Sequence, residues 1–283
     1  MPKAEDCCLG RQSDAPHLNR ANSHSAWYLV SHLGLLIRVA RTEMAARYAG
    51  SLLGIGWAFV APLAILAIYA VVYLYIFVVR PTQMTPLAYV LYMFAGLVPF
   101  LVTGEAVNGG VSAIVTNKAV LNNTVFPIDL APVKPVVTAQ LLAMVGFTTI
   151  IILLALSGRL TWMVLFFPIV WVLHILFLVG LNWILSLIHV VFRDLQYAIG
   201  ILLMIMLIAS PIAYTPDMVP SALKPLIVLN PFAYYVLAFQ GVLVLGRVPT
   251  VGEWCALLAL SGGVFGVGGW LFAKGKRVLV DYA

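Results

Sequence analysis

Charge is scarce in this chain. Only 9% of its 283 residues are Asp, Glu, Lys or Arg, where a soluble domain carries about 25%. With 63% hydrophobic residues, that scarcity excludes a soluble globular enzyme and a disordered chain. Cysteine is scarce too. Cys7 and Cys8 are adjacent and Cys255 has no evident partner, so neither a disulfide scaffold nor a cysteine metal framework follows. Residues 1–25 are polar and hold no apolar core of a secretory signal, so the start of the chain is expected in the cytoplasm. No internal repeat of the inverted-transporter kind is evident.

Catalytic patterns are missing as well. The segment Gly269–Arg277 imitates a phosphate loop around Gly275-Lys276, but the spacing is off by one and Arg277 stands where Ser or Thr is needed. His174 and His189 lie fifteen residues apart, not at the i, i+4 spacing of a helical zinc pair. A hydrogen-bonded helix contact is the better reading of such a histidine. No Gly-x-Ser-x-Gly elbow and no close pair of carboxylates occurs. Buried acids, which ion-coupled carriers need, are also lacking, Glu105 being the only charge inside an apolar stretch. We therefore expect no catalytic residue, no metal site and no cofactor on this chain.

Long apolar stretches are what the sequence does have. They run Leu53–Val79, Leu87–Val107, Pro135–Leu156, Trp162–Phe192, Leu195–Pro211 and Cys255–Ala273. Each is of the order needed to cross a hydrocarbon core of about 30 Å. The fourth is longer than a perpendicular span, so it must tilt, protrude or break, with Gly180 a plausible break. The expected fold is thus an all-α integral membrane protein of six transmembrane helices. With both termini cytoplasmic, only Arg80, Arg159, Lys224 and Arg247 of the 16 Lys and Arg fall outside. That asymmetry explains the net charge of +6 as membrane orientation rather than nucleic-acid binding.

Four further patterns stand out. Leu29, Leu33, Leu36, Ala40 and Met44 recur at helical spacing, with Arg38 and Arg41 on another face. This predicts an amphipathic helix over 26–48, lying in the membrane interface, between a polar extension (1–25) and the six-span body (49–283). Between the fifth and sixth spans, Pro211, Pro216, Pro220, Pro225 and Pro231 interrupt apolar chain. Such density breaks a continuous helix and predicts short re-entrant helices covered by protein or a water-filled cavity. Finally, Tyr69, Tyr73 and Phe77 share one face, and Tyr89 and Tyr92 open the second span. They are read either as packing and membrane belt or as a surface along which a glycan could slide. Gly262 and Gly266 form a small-xxx-small pattern for close helix contact within the chain or with a second copy.

Local motifs go further. Arg47-Tyr48-Ala49-Gly50-Ser51-Leu52-Leu53-Gly54-Ile55-Gly56-Trp57, followed by Pro62, resembles the opening motif of the ABC transporter permeases that export bacterial polysaccharides. Phe192-Arg193-Asp194 resembles a second marker of that family, and Ser210-Pro211-Ile212-Ala213-Tyr214 with Val219-Pro220 and Leu229-Asn230-Pro231 a third. The blocks come in family order, cover about residues 26–283, and look closest to the O-antigen branch, with capsule and teichoic-acid exporters similar.

The resemblance implies a bacterial inner-membrane channel subunit, paired with a second copy and with two separate ATPase subunits that hold the ATP and Mg. Its cargo would be a polysaccharide on a polyprenyl-pyrophosphate lipid. Arg38, Arg41, Arg47 and Tyr48 would then stand at the lipid gate, where arginine grips phosphate with several donors. Tyr69, Tyr73, Phe77, Tyr89 and Tyr92 would line the glycan path. Asn117, Lys118, Asn122, Asn123, Arg193 and Asp194 would meet the ATPase. Pro211, Tyr214, Pro220, Asn230, Pro231, Tyr234 and Tyr235 would form the periplasmic gate. A drug or small-lipid exporter permease shares the topology. A membrane-bound lipid-modifying enzyme is the competing class, weakened because Asp194 and Asp217 have no neighbouring histidine in sequence.

Overall fold

A computed structural model describes residues 26–76, 84–117 and 127–282, and every regular element among them is helical. The helix expected over 26–48 forms in two pieces, α1 (Ala26–Ser31) and α2 (Leu33–Arg47), broken at His32. Leu36, Ala40 and Met44 form its buried stripe, whereas Leu33, next to the break, is exposed.

Among the described residues, four helical segments are long and apolar enough to cross a membrane: Pro86–Val111, Ile128–Leu156, Trp162–Val191 and Val251–Gly275. Their principal helices are α4 (Pro86–Val111), α6 (Lys134–Leu156), α7 (Phe167–Val191) and α11 (Val251–Tyr282). The short α5 (Ala113–Thr116) follows α4. The first and fifth predicted spans are shorter helices of 15 residues each, α3 (Trp57–Val71) and α8 (Leu195–Ala209). At 1.5 Å per residue each covers about 22 Å, and a π-helical turn over Val72–Ile76 continues α3.

The helices start where local chemistry satisfies them. At α4, the Thr85 hydroxyl accepts from Ala88 N–H and Pro86 occupies the first turn, where a missing N–H costs nothing. α4 is the central helix, with 78% of its most apolar window buried against 28% for the span in α11. It packs between α6, α7 and α10 (Pro231–Gln240).

At Gly180 the structure departs from the sequence reading. The fourth span does not break at Gly180, since α7 runs through it uninterrupted. Gly180 instead lets α7 and α11 touch. A Cβ there would stand 2.5 Å from Val264 O, and a Cβ on Gly268 would collide with Gly180 O. Gly262 and Gly266 face open space within this chain, so the close crossing uses a different pair of glycines. In the proline-rich region the sharp bend falls at one place. Segments Ser221–Leu229 and Pro231–Leu245 meet at 95°, the second helix starting where Asn230 Oδ1 accepts from Phe232 N–H at 3.0 Å.

Candidate functional site

The C-terminal half of α2 lies against the ends of α4 and α6. Glu43 and Arg47, one helical turn apart, share a face and reach two different neighbours. Arg47 Nη1 donates to Glu105 Oε1 of α4 at 2.6 Å. Glu43 Oε2 stands 3.3 Å from Lys134 Nζ, at the start of α6. Lys134 also reaches Asn117 Oδ1 at 3.4 Å. Between these groups is a cavity of about 200 Å³, lined by Glu43, Arg47, Glu105, Ser112, Asn117 and Lys134 among others. The hydrogen bond that Arg47 donates to Glu105 holds the guanidinium above its ordinary pKa, while partial burial pulls the other way. Glu43 Oε2 is itself buried and has no hydrogen-bond partner among the described residues, so its tie to Lys134 is one of charge alone.

Of the three arginines assigned to the lipid gate, Arg47 alone lines this cavity. Arg38 and Arg41 are exposed elsewhere on α2, and Tyr48 ends the helix half-buried. Asn117 Nδ2 caps α5 by donating to Ala113 O at 2.7 Å. Lys118, Asn122 and Asn123 lie outside the described residues. Arg193 and Asp194 form the exposed turn between α7 and α8.

Toward the other end of α4 a set of neutral, largely buried polar groups meets the Ser210–Tyr214 segment. Tyr89 donates its hydroxyl to Ala213 O at 2.8 Å. Gln240 Nε2 donates to Pro211 O at 3.1 Å, Ile212 O at 3.2 Å and, more weakly, Tyr92 O at 3.3 Å. Asn230 Nδ2 donates to Ser210 Oγ at 2.8 Å, and Tyr214 folds back onto Ala209 O at 2.8 Å. Ser210–Tyr214 is therefore clasped from three helices. Gly96 makes room for the clasp, since a Cβ there would stand 2.6 Å from Gln240 Nε2. Pro211 and Asn230 belong to it and are buried, Pro231 opens α10, and Pro220 is exposed. Tyr234 donates to Val228 O at 3.0 Å, and Tyr235 shares a 2.6 Å hydrogen bond with Ser261.

The aromatic residues separate into two groups. Tyr69 and Tyr73 stack at 6.1 Å and are half-buried, whereas Tyr89 and Tyr92 are buried in the core of the chain. Phe77 is outside the described residues.

Sequence reasoning missed Gln240, Asn182 and Trp183. Asn182 Nδ2 donates to Ala106 O at 2.9 Å and Pro132 O at 3.2 Å. Trp183 Nε1 donates to Asp129 O at 3.0 Å. Together they hold the segment leading into α6 against α7. The available signal was a lone amide in an apolar stretch, which in a membrane is spent on interhelical bonds. His174 is such a contact, 2.9 Å from Thr103 Oγ1. No group of three or more His, Cys, Asp and Glu able to hold a metal occurs among the described residues.

Residues 35–244 match the family model described as ABC-2 type transporter. The chain is 32% identical over 236 residues to the O-antigen export system permease protein RfbA of Myxococcus xanthus, covering 82% of this chain and 89% of that protein. Two proteins of the same description from Klebsiella pneumoniae are each 26% identical over 231 residues, covering 81% of this chain and 86% of theirs.

Proposed function

The chain belongs to the ABC-2 type transporter family, and from that premise we propose that it is the transmembrane subunit of an ATP-driven O-antigen exporter. The observation that carries the reading is a match extending over nearly all of an O-antigen export permease. In this reading two copies form the channel, and two copies of a separate ATPase chain supply ATP hydrolysis with its Mg. The cargo is a polysaccharide on a polyprenyl-pyrophosphate lipid, moved across the bacterial inner membrane to the periplasm.

Six spans complete the topology, with α3 and α8 crossing as the two short helices. The charge distribution supports cytoplasmic termini. Arg47 and Lys134, with Arg38 and Arg41 on the same helix as Arg47 and Arg193 in the turn after α7, gather at one end of the bundle. At the other end Arg159 donates to Thr85 Oγ1 at 3.1 Å and Arg247 pairs with Glu253 at 3.0 Å. The end with more cations is cytoplasmic. The cavity at Arg47 is then the lipid gate, with Arg38 and Arg41 on the same helix, and the clasp around Ser210–Tyr214 is the periplasmic closure. Arg193 and Asp194, in the turn after α7, stand on the ATPase side. Tyr69 and Tyr73, stacked and only half-buried, are the aromatic residues best suited to meet a sliding glycan.

Deleting the gene tests the reading. We expect loss of surface O-antigen with lipid-linked glycan accumulating on the cytoplasmic leaflet. Normal surface glycan without this chain would contradict it.

A further inference from the structure

The chain leaves α4 through α5 and re-enters the bundle at the short 3₁₀ turn Ile128–Leu130, before α6 begins at Lys134. Both flanks of that connection are held by one stretch of α7. Asn182 and Trp183 are fully buried there. The Asn182 amide donates to Ala106 O of α4 at 2.9 Å and to Pro132 O, ahead of α6, at 3.2 Å. Trp183 Nε1 donates to Asp129 O at 3.0 Å. The end of α4 is shaped for this grip. A Cβ on Gly110 would overlap the Asn182 amide, and a Cβ on Gly109 would stand 2.9 Å from Pro135 in the first turn of α6.

The same stretch grips α11. The Trp183 ring centroid lies 5.3 Å from that of Phe265 and 6.3 Å from that of Phe272. Three residues before Trp183, Gly180 makes the close crossing with Val264 and Gly268. About one turn of α7 therefore joins α4, the entry to α6 and α11.

Stability is a poor reason for an amide at this place. Asn182 Oδ1 is buried and has no hydrogen-bond partner among the described residues, a deficit that an apolar side chain would not carry. Hydrogen bonds between helices in a membrane also add little to stability. What an amide committed to two elements does supply is register, because only one placement of the three elements satisfies it.

We propose that Asn182, supported by Trp183, is the positioning residue that carries movement of the α4–α6 connection into the α7–α11 pair. The proposal rests on the exporter reading, in which an ATPase acts on the cytoplasmic end of the bundle and the spans respond. Displacing either flank drags α7 through the amide. α11 follows through the glycine crossing and the Trp183 ring, a contiguous path of packed and hydrogen-bonded groups. Without the amide the flanks shift while α7 and α11 stay in place, and hydrolysis continues without transport.

The test uses the full chain purified with its partner ATPase and reconstituted in lipid vesicles, with the lipid-linked glycan fraction extracted from the same cells as substrate. Hydrolysis without substrate and glycan moved per ATP are both measured. Asn182→Leu should keep assembly and unstimulated hydrolysis and cut glycan moved per ATP about fivefold, the low end of coupling between distant sites. Trp183→Phe removes the donor to Asp129 O and keeps a ring against α11. It should cut the ratio about twofold, and it carries the test if Asn182→Leu does not fold. Thr103→Val is the control. It breaks another buried contact between α4 and α7, from Thr103 Oγ1 to His174 at 2.9 Å, and should lower the melting temperature comparably while leaving glycan per ATP intact. An unchanged ratio in Asn182→Leu, or in Trp183→Phe where it stands alone, overturns the proposal. So does an equal loss in Thr103→Val, which makes the defect one of stability. A wild-type chain that retains no ATPase removes the exporter reading and this relay with it, whereas a coupled wild type with equally coupled variants removes the relay alone.

Discussion

The two ends of α4 are closed by different chemistry. Near its N-terminus, Tyr89, Gly96 and the Gln240 amide join α4 to the Ser210–Tyr214 segment through neutral hydrogen bonds among buried groups. Near its C-terminus, Glu105 meets Arg47 through an ion pair whose side chains are 38% and 43% exposed, beside a cavity. Tyr89 and Glu105 are sixteen residues apart, about 24 Å of helix. Opening the first closure strands amide and carbonyl groups in a low-dielectric interior, where each unsatisfied group costs about 1–3 kcal/mol. Opening the second exposes charges to water, at a net cost of about 0–1 kcal/mol per pair. The lesson is that one long helix supports a closure that resists and a closure that yields, and the difference comes from whether the polar groups have water as an alternative partner.

The largest expected effect is at the resisting end. Gln240→Leu leaves Pro211 O and Ile212 O without their donor and should destabilise the fold by about 2 kcal/mol, read as a lower melting temperature in detergent. Gly96→Ala should act on the same contact, because its Cβ would crowd Gln240 Nε2. The double variant should therefore fall short of the sum of the singles, and strict additivity would show that Gly96 and Gln240 are not one device.

At the yielding end substitutions should move export more than stability. Glu105→Gln should change stability by less than about 1 kcal/mol. Arg41→Gln with Arg47→Gln should reduce export several-fold at unchanged membrane level and ATPase binding, and unchanged export would remove arginine from the gate. A stability loss in Glu105→Gln as large as in Gln240→Leu would erase the comparison. The smallest effect is expected from Tyr69→Ala with Tyr73→Ala, which should slow export while leaving assembly intact. Normal transport in that variant means that those rings face lipid.

Much of this architecture was legible from composition and period alone. Apolar stretches mark the four long segments and the two short helices, and the 3.6-residue stripe through Leu36, Ala40 and Met44 marks α2. Asn230 and Pro231 are readable as a helix start by their own chemistry. What was not legible depends on partners far away in sequence. Gln240 bonds Tyr92 O across 148 positions, and Arg47 meets Glu105 across 58. Gly180 read as a break because glycine weakens helices, but its partner at Gly268 turns the missing side chain into a close crossing. Tyr89 and Tyr92 have the same residue type and similar spacing as Tyr69 and Tyr73, yet only the structure separates the buried pair from the half-buried one.

The exporter reading requires a separate ATPase partner. Affinity purification of the tagged chain from its native membranes, followed by mass spectrometry of what accompanies it, tests that directly. The account predicts a stoichiometric ATPase subunit, with lipid-linked glycan stimulating its hydrolysis. An intact, folded chain that purifies alone in mild detergent would contradict it.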